Sequence, residues 1–84
     1  MNDRPIEKFY LFHFDDGSSY GMTCGINFKD ALWEMSKYTG QSSELLCKCL
    51  KTFDSDDIKG IIELFHHFSI KKIEDVYIVE KKIY

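Results

Sequence analysis

Residues 44–53, Glu-Leu-Leu-Cys-Lys-Cys-Leu-Lys-Thr-Phe, decide between two architectures for this chain. At helical spacing Leu45, Leu46, Cys49, Leu50 and Phe53 gather on one side, with Glu44, Lys48, Lys51 and Thr52 on the other. At strand spacing, lysine falls among apolar residues on both faces. The pattern favours a helix, and with it the order β-β-α-α-α-β. Pairing of the same stretch as a strand would give β-β-α-β-α-β instead. Either order is a two-layer α+β domain, with two or three helices on one face of a small, mostly antiparallel sheet.

Upstream of this stretch, residues 6–14 (IEKFYLFHF) are rich in aromatics and read as a strand. Asp15-Asp16-Gly17 suits a three-residue hairpin loop, with Gly17 in the left-handed third position. That loop sets Phe14 against Ser18, Phe12 against Tyr20, Tyr10 against Met22, Lys8 against Cys24 and Ile6 against Ile26. Ile6, Tyr10, Phe12, Phe14, Tyr20, Met22, Cys24 and Ile26 then share one face, and Ser19, Gly21, Thr23 and Gly25 the other. Asn27 caps a first helix with Asp30 at the third helical position, and Phe28, Ala31, Leu32, Met35 and Tyr38 line its inner side. Gly40 supplies the stop.

Downstream, Asp54 is the expected cap of a third helix running to about Phe68, with Asp57 three positions on and Phe53 and Ile58 as a hydrophobic staple. Residues 73–83 read as the last strand. There is no repeat, no low-complexity run and no linker composition, so 1–84 is expected to be a single domain.

The chain has 84 residues, 44% of them apolar and 30% charged, which excludes the composition of a disordered segment. No run of 18 apolar residues occurs, so no membrane span is expected. Met1–Pro5 lacks the layout of a signal peptide, and three cysteines make a poor disulfide framework; both favour a reducing, cytoplasmic location. The net charge is −3, and Arg4 is the single arginine. Nucleic-acid binding is disfavoured on that ground, because it draws on counterion release by a basic excess.

Chemistry-bearing groups are sparse. Cys47 and Cys49 would stand about 200° apart on a helix, and the neighbouring His66 and His67 about 100° apart, so neither pair chelates well. Cys24 and Cys49 fit as small core residues and the histidines as residues of a wet helix face. No third group marks a cysteine–histidine catalytic arrangement, and so small a domain leaves little room for a pocket. Asp15-Asp16-Gly17 and Asp54-Ser55-Asp56-Asp57 do not continue as calcium loops, and no phosphate-binding glycine motif is present. The expectation is a chain that is not an enzyme and has no cofactor or metal.

Two apolar features sit where polar residues would be ordinary. Trp33 lies about 140° around the first helix from Phe28, between Lys29 and Lys37, and so points away from the side that Phe28 buries, to face either a partner or a covering second or third helix. In the first and last strands Phe9 and Leu11 oppose Tyr10 and Phe12, while Tyr77 and Val79 oppose Val76 and Ile78. Both strands are therefore apolar on two faces, and the face not taken by helices would suit dimerisation or partner docking. Trp33, Lys29, Lys37, Phe9, Leu11, Tyr77 and Val79 are the expected partner-binding residues.

In composition alone, short, acidic, aromatic-heavy and free of motifs, the chain is similar to small phage or mobile-element proteins that inhibit host machinery, anti-CRISPR proteins among them. That resemblance implies a protein-binding inhibitor that occludes a partner surface. A protein partner or a homodimer is thus the first expectation. A small RNA- or DNA-associated domain using an aromatic sheet face is the alternative.

Overall fold

The ambiguous stretch is helical. A computed structural model describes residues 6–24 and 27–82, with side chains described for 8–22 and 27–80. The elements are β1 (Ile6–Phe14), β2 (Ser19–Cys24), α1 (Phe28–Tyr38), α2 (Glu44–Leu50), α3 (Ile58–Phe68) and β3 (Ile73–Lys82). The strands form one antiparallel sheet in the order β2-β1-β3, which makes this a small α+β fold of the β-β-α-α-α-β kind.

The turn chemistry fixes the register. Gly17 takes φ 88°, its N–H donates to the Phe14 carbonyl at 3.1 Å, and the Phe14 N–H donates to the Ser18 carbonyl at 2.9 Å. The Asp16 carboxylate accepts from both the backbone N–H and the hydroxyl of Ser18, which holds its pKa below the usual carboxylate value. Phe12 then faces Tyr20, Tyr10 faces Met22 and Lys8 faces Cys24, as expected. Tyr10, Phe12 and Phe14 are buried; the side chains expected beside them at Ile6, Cys24 and Ile26 lie outside the described residues.

The core joins these three aromatics to Phe28, Ala31, Leu32 and Met35 of α1, Leu46 and Leu50 of α2, Ile61 and Phe65 of α3, and Ile73 of β3. Asn27 caps α1 by accepting the Asp30 N–H at 2.9 Å. At the other end Gly40, at φ 76°, and Gln41 donate back to Lys37 and Ser36, closing the helix in a Schellman turn. Tyr38 departs from expectation: although Met35 and Ser36 of the same turn are buried, it is 75% exposed, with its ring 5.5 Å from that of Tyr20.

Two boundaries also differ from the sequence reading. α2 stops at Leu50, where Thr52 and Phe53 donate their N–H groups to Cys49 and Leu50 in tight turns. Within α2, Leu46 and Leu50 face inward, while Leu45 is exposed and Cys49 half-buried. α3 begins at Ile58 and is capped by Asp57, whose carboxylate accepts the Gly60 N–H at 3.1 Å; Asp54 is not the cap. The reason lies in α1. Asp56 accepts the Phe28 N–H at 3.1 Å, and the Ser55 carbonyl accepts the Lys29 N–H at 2.9 Å. Ser55 and Asp56 are committed to the orphan donors of another helix, and the Asp54 carbonyl accepts the Asp57 N–H in a turn, so the helix starts only after Asp57.

Candidate interaction surface

All three helices contribute to the core on the Tyr10–Phe12–Phe14 side of the sheet, which leaves the opposite side without a described covering element. On that side β1 presents Phe9, Leu11 and His13. β3 places Val79 directly across from Phe9, Tyr77 across from Leu11 and Asp75 across from His13. Phe9 is 40% exposed, Tyr77 53% and Val79 55%, while Leu11 and His13 are half-buried.

The patch is packed laterally, although nothing described lies on top of it. His13 and Tyr77 meet edge to face, with centroids 5.4 Å apart at 83°. On the other flank β2 has Gly21 opposite Leu11. A Cβ there would come within 3.0 Å of the Phe9 ring and 3.3 Å of Leu11 Cδ1, so both side chains lean into the space that the glycine leaves. The result is a continuous strip from His13 and Tyr77 through Leu11 to Phe9 and Val79. Four of its members, Phe9, Leu11, Tyr77 and Val79, were legible from strand alternation. Gly21 was placed on this face by the hairpin register, whereas His13 was missed, although the same two-residue period puts it there.

Trp33 is placed differently from the partner-facing expectation. It packs against the core and is half-buried, beside a shallow groove of about 130 Å³ lined also by Lys29, Asp30, Cys47, Leu50 and Lys51. Cys47 and Leu50 of α2 and Lys51 line that groove with the indole, which does not point freely into solvent. The flanking lysines are engaged elsewhere: Lys29 Nζ donates to the Phe53 carbonyl at 2.9 Å, and Lys37 Nζ pairs with Glu34 at 3.0 Å. The structure therefore separates the seven expected residues into two groups. Phe9, Leu11, Tyr77 and Val79 converge on one face; Trp33, Lys29 and Lys37 lie on the helical layer.

His66 is likewise not on a wet face. Its Nε2 accepts the Ile73 N–H at 2.9 Å, and burial, then the Lys72 ammonium, lower its pKa below the ordinary histidine value, with Asp15 opposing. Burial and the neighbouring Tyr38 and Glu34 charges push the Tyr20 phenol up. Among the described residues no three His, Cys, Asp or Glu side chains converge as metal ligands. Cys47 and Cys49 are free thiols, both half-buried on α2. Among the described residues, too, no helix is long and apolar enough to cross a membrane.

Comparison with known protein families, curated proteins and solved structures finds no match for this chain.

Proposed function

We propose that this chain is a non-enzymatic, cytoplasmic protein-binding module that acts by covering a surface of a larger protein partner. The observation that carries this reading is the cross-strand pairing of Phe9 with Val79 and of Leu11 with Tyr77 on a face that no described element covers. Aromatic and aliphatic side chains held side by side by a sheet lose little conformational freedom on binding, and such clusters supply the anchors of protein interfaces. The compositional likeness to small phage inhibitors supports occlusion of a host protein as the mode of action. Trp33, Lys29 and Lys37 flank the helical layer and are secondary to the sheet face.

The same face offers Phe9 and Tyr77 as stacking platforms for single-stranded nucleic acid, but a net charge of −3 opposes the approach of phosphate. The discriminating experiment captures partners from lysate on wild-type chain, Tyr77→Lys and Phe9→Ala in parallel, with nuclease treatment of half of each sample. A nuclease-resistant protein retained by wild type and lost from both variants supports the reading. Retention by both variants, or capture that nuclease abolishes, overturns it.

A further inference from the structure

β3 is an edge strand of the sheet. It pairs only with β1 in the sheet, and among the described residues no other backbone group bonds to 74–82. Apolar residues are exposed on both of its faces: Tyr77 and Val79 on the open side, and Ile78, 36% exposed, on the helical side, where its partner Tyr10 is 1% exposed. The helical layer thus closes over β1 but not over the centre of β3. An edge with an apolar centre, Val76 to Val79, invites another strand, and the charged residues at its two ends restrict which strand it accepts.

The hydrogen-bonding parity of the edge follows from the hairpin. Phe14 bonds to Ser18, so even-numbered residues of β1 direct their N–H and C=O groups toward β2, and odd-numbered ones toward β3. Their partners Asp75, Tyr77 and Val79 point back at β1. Val76, Ile78 and Glu80 therefore direct their backbone groups outward. An antiparallel neighbour with the same parity must set even residues opposite even residues, which permits two-fold axes at 77, 78 or 79.

Charge selects among these three. With the axis at Ile78, Asp75 of one copy stands at the register position of Lys81 of the other, Glu74 faces Lys82, Tyr77 faces Val79 and Ile78 faces itself. An axis at Tyr77 sets Glu74 against Glu80, and an axis at Val79 sets Tyr77 against Lys81 and Val76 against Lys82. Acidic residues at one end of the strand and basic residues at the other also disfavour parallel pairing, which would align like charges. We propose that the chain forms a two-fold dimer through antiparallel pairing of β3 with β3 of a second copy, centred on Ile78. The product is a continuous six-stranded sheet. This inference stands apart from the docking reading, since it uses the main chain of an edge rather than the apolar face; the dimer would set two such faces side by side.

Sedimentation equilibrium of the full chain, over a range of concentrations, tests it. The wild type is expected to move from the 9.9 kDa single-chain mass toward twice that mass. Asp75→Lys or Lys81→Asp alone reverses two symmetry-related contacts and should weaken the dimer by about tenfold or more, and the double variant should recover to within about threefold of wild type. Glu80→Pro removes an outward N–H without touching the β1 ladder and should weaken the dimer likewise; it carries the test if a charge variant fails to fold. A single-chain mass up to about 1 mM, where the association energy would be under about 4 kcal/mol, overturns the proposal. So does a dimer indifferent to the charge exchange and to Glu80→Pro, or an assembly larger than two chains. Tyr77 faces Val79 across the proposed seam, so Phe9→Ala, on β1 and away from that seam, is the variant whose loss of the captured partner bears on the docking reading alone.

Discussion

His66 Nε2 accepts the backbone N–H of Ile73 at 2.9 Å, tying the last turn of α3 to the first residue of β3. The bond needs a neutral imidazole, because a protonated one has no lone pair to offer. Around the ring, Lys72 opposes protonation while Asp15 and Glu63 favour it, and with burial the balance lowers the pKa. Between the lowered value and 6.5 the unfolded chain then binds more protons than the native one. Stability from this site is full above the unfolded value and is lost as pH falls through the folded one. Chemical denaturation of wild type against His66→Ala should show the variant less stable by about 1–3 kcal/mol at pH 8, the cost of an unsatisfied buried donor. The gap should close with acidification; a gap that stays constant with pH would count against this linkage.

Gly60 offers a test of the α3 cap in which the sign alone decides. In an ordinary helix Gly→Ala stabilises by about 1 kcal/mol. Here an added Cβ would meet the capping Asp57 carboxylate at 2.5 Å and the Phe53 ring at 2.9 Å. Gly60→Ala should therefore destabilise, by about 1 kcal/mol, the typical worth of a lost cap. A raised denaturation midpoint would show that Asp57 does not cap the helix in this way.

Trp33→Ala separates the helical layer from the sheet face. The indole packs against the core and is half-buried, so its removal should cost about 2 kcal/mol of folding stability, below the 3–5 kcal/mol of a fully buried aromatic. Affinity for a captured partner should stay within about threefold of wild type, since truncations outside a hot spot change binding little. An intact midpoint with strongly weakened binding would place the contact on α1 instead.

The hairpin, the caps of α1 and the alternation of β1 and β3 were legible because each rests on neighbours in sequence: Gly17 in its turn, Asn27 with Asp30, Phe9 and Leu11 two apart. What escaped depends on distant residues. Asp54 looks like a cap until Ser55 and Asp56 are seen to serve the N–H groups of Lys29 and Phe28. Trp33 reads as outward until Cys47 and Leu50 of α2 are seen to line the same groove. His66 reads as wet because its partner, Ile73, lies across a chain reversal. The four apolar residues of the sheet face, and a two-layer arrangement with the helices on one side, were accessible to pattern alone.

The most direct measurement of the central claim is the affinity of the captured partner for Tyr77→Lys, set beside the denaturation midpoint of the same variant. Tyr77 is 53% exposed at the middle of the face, between Val79 and His13, so a lysine there should leave the fold intact. A charge set into the centre of an interface should cost 2 kcal/mol or more, about a thirtyfold loss of affinity. That loss with an unchanged midpoint is the predicted result; wild-type affinity in a folded Tyr77→Lys chain would contradict it.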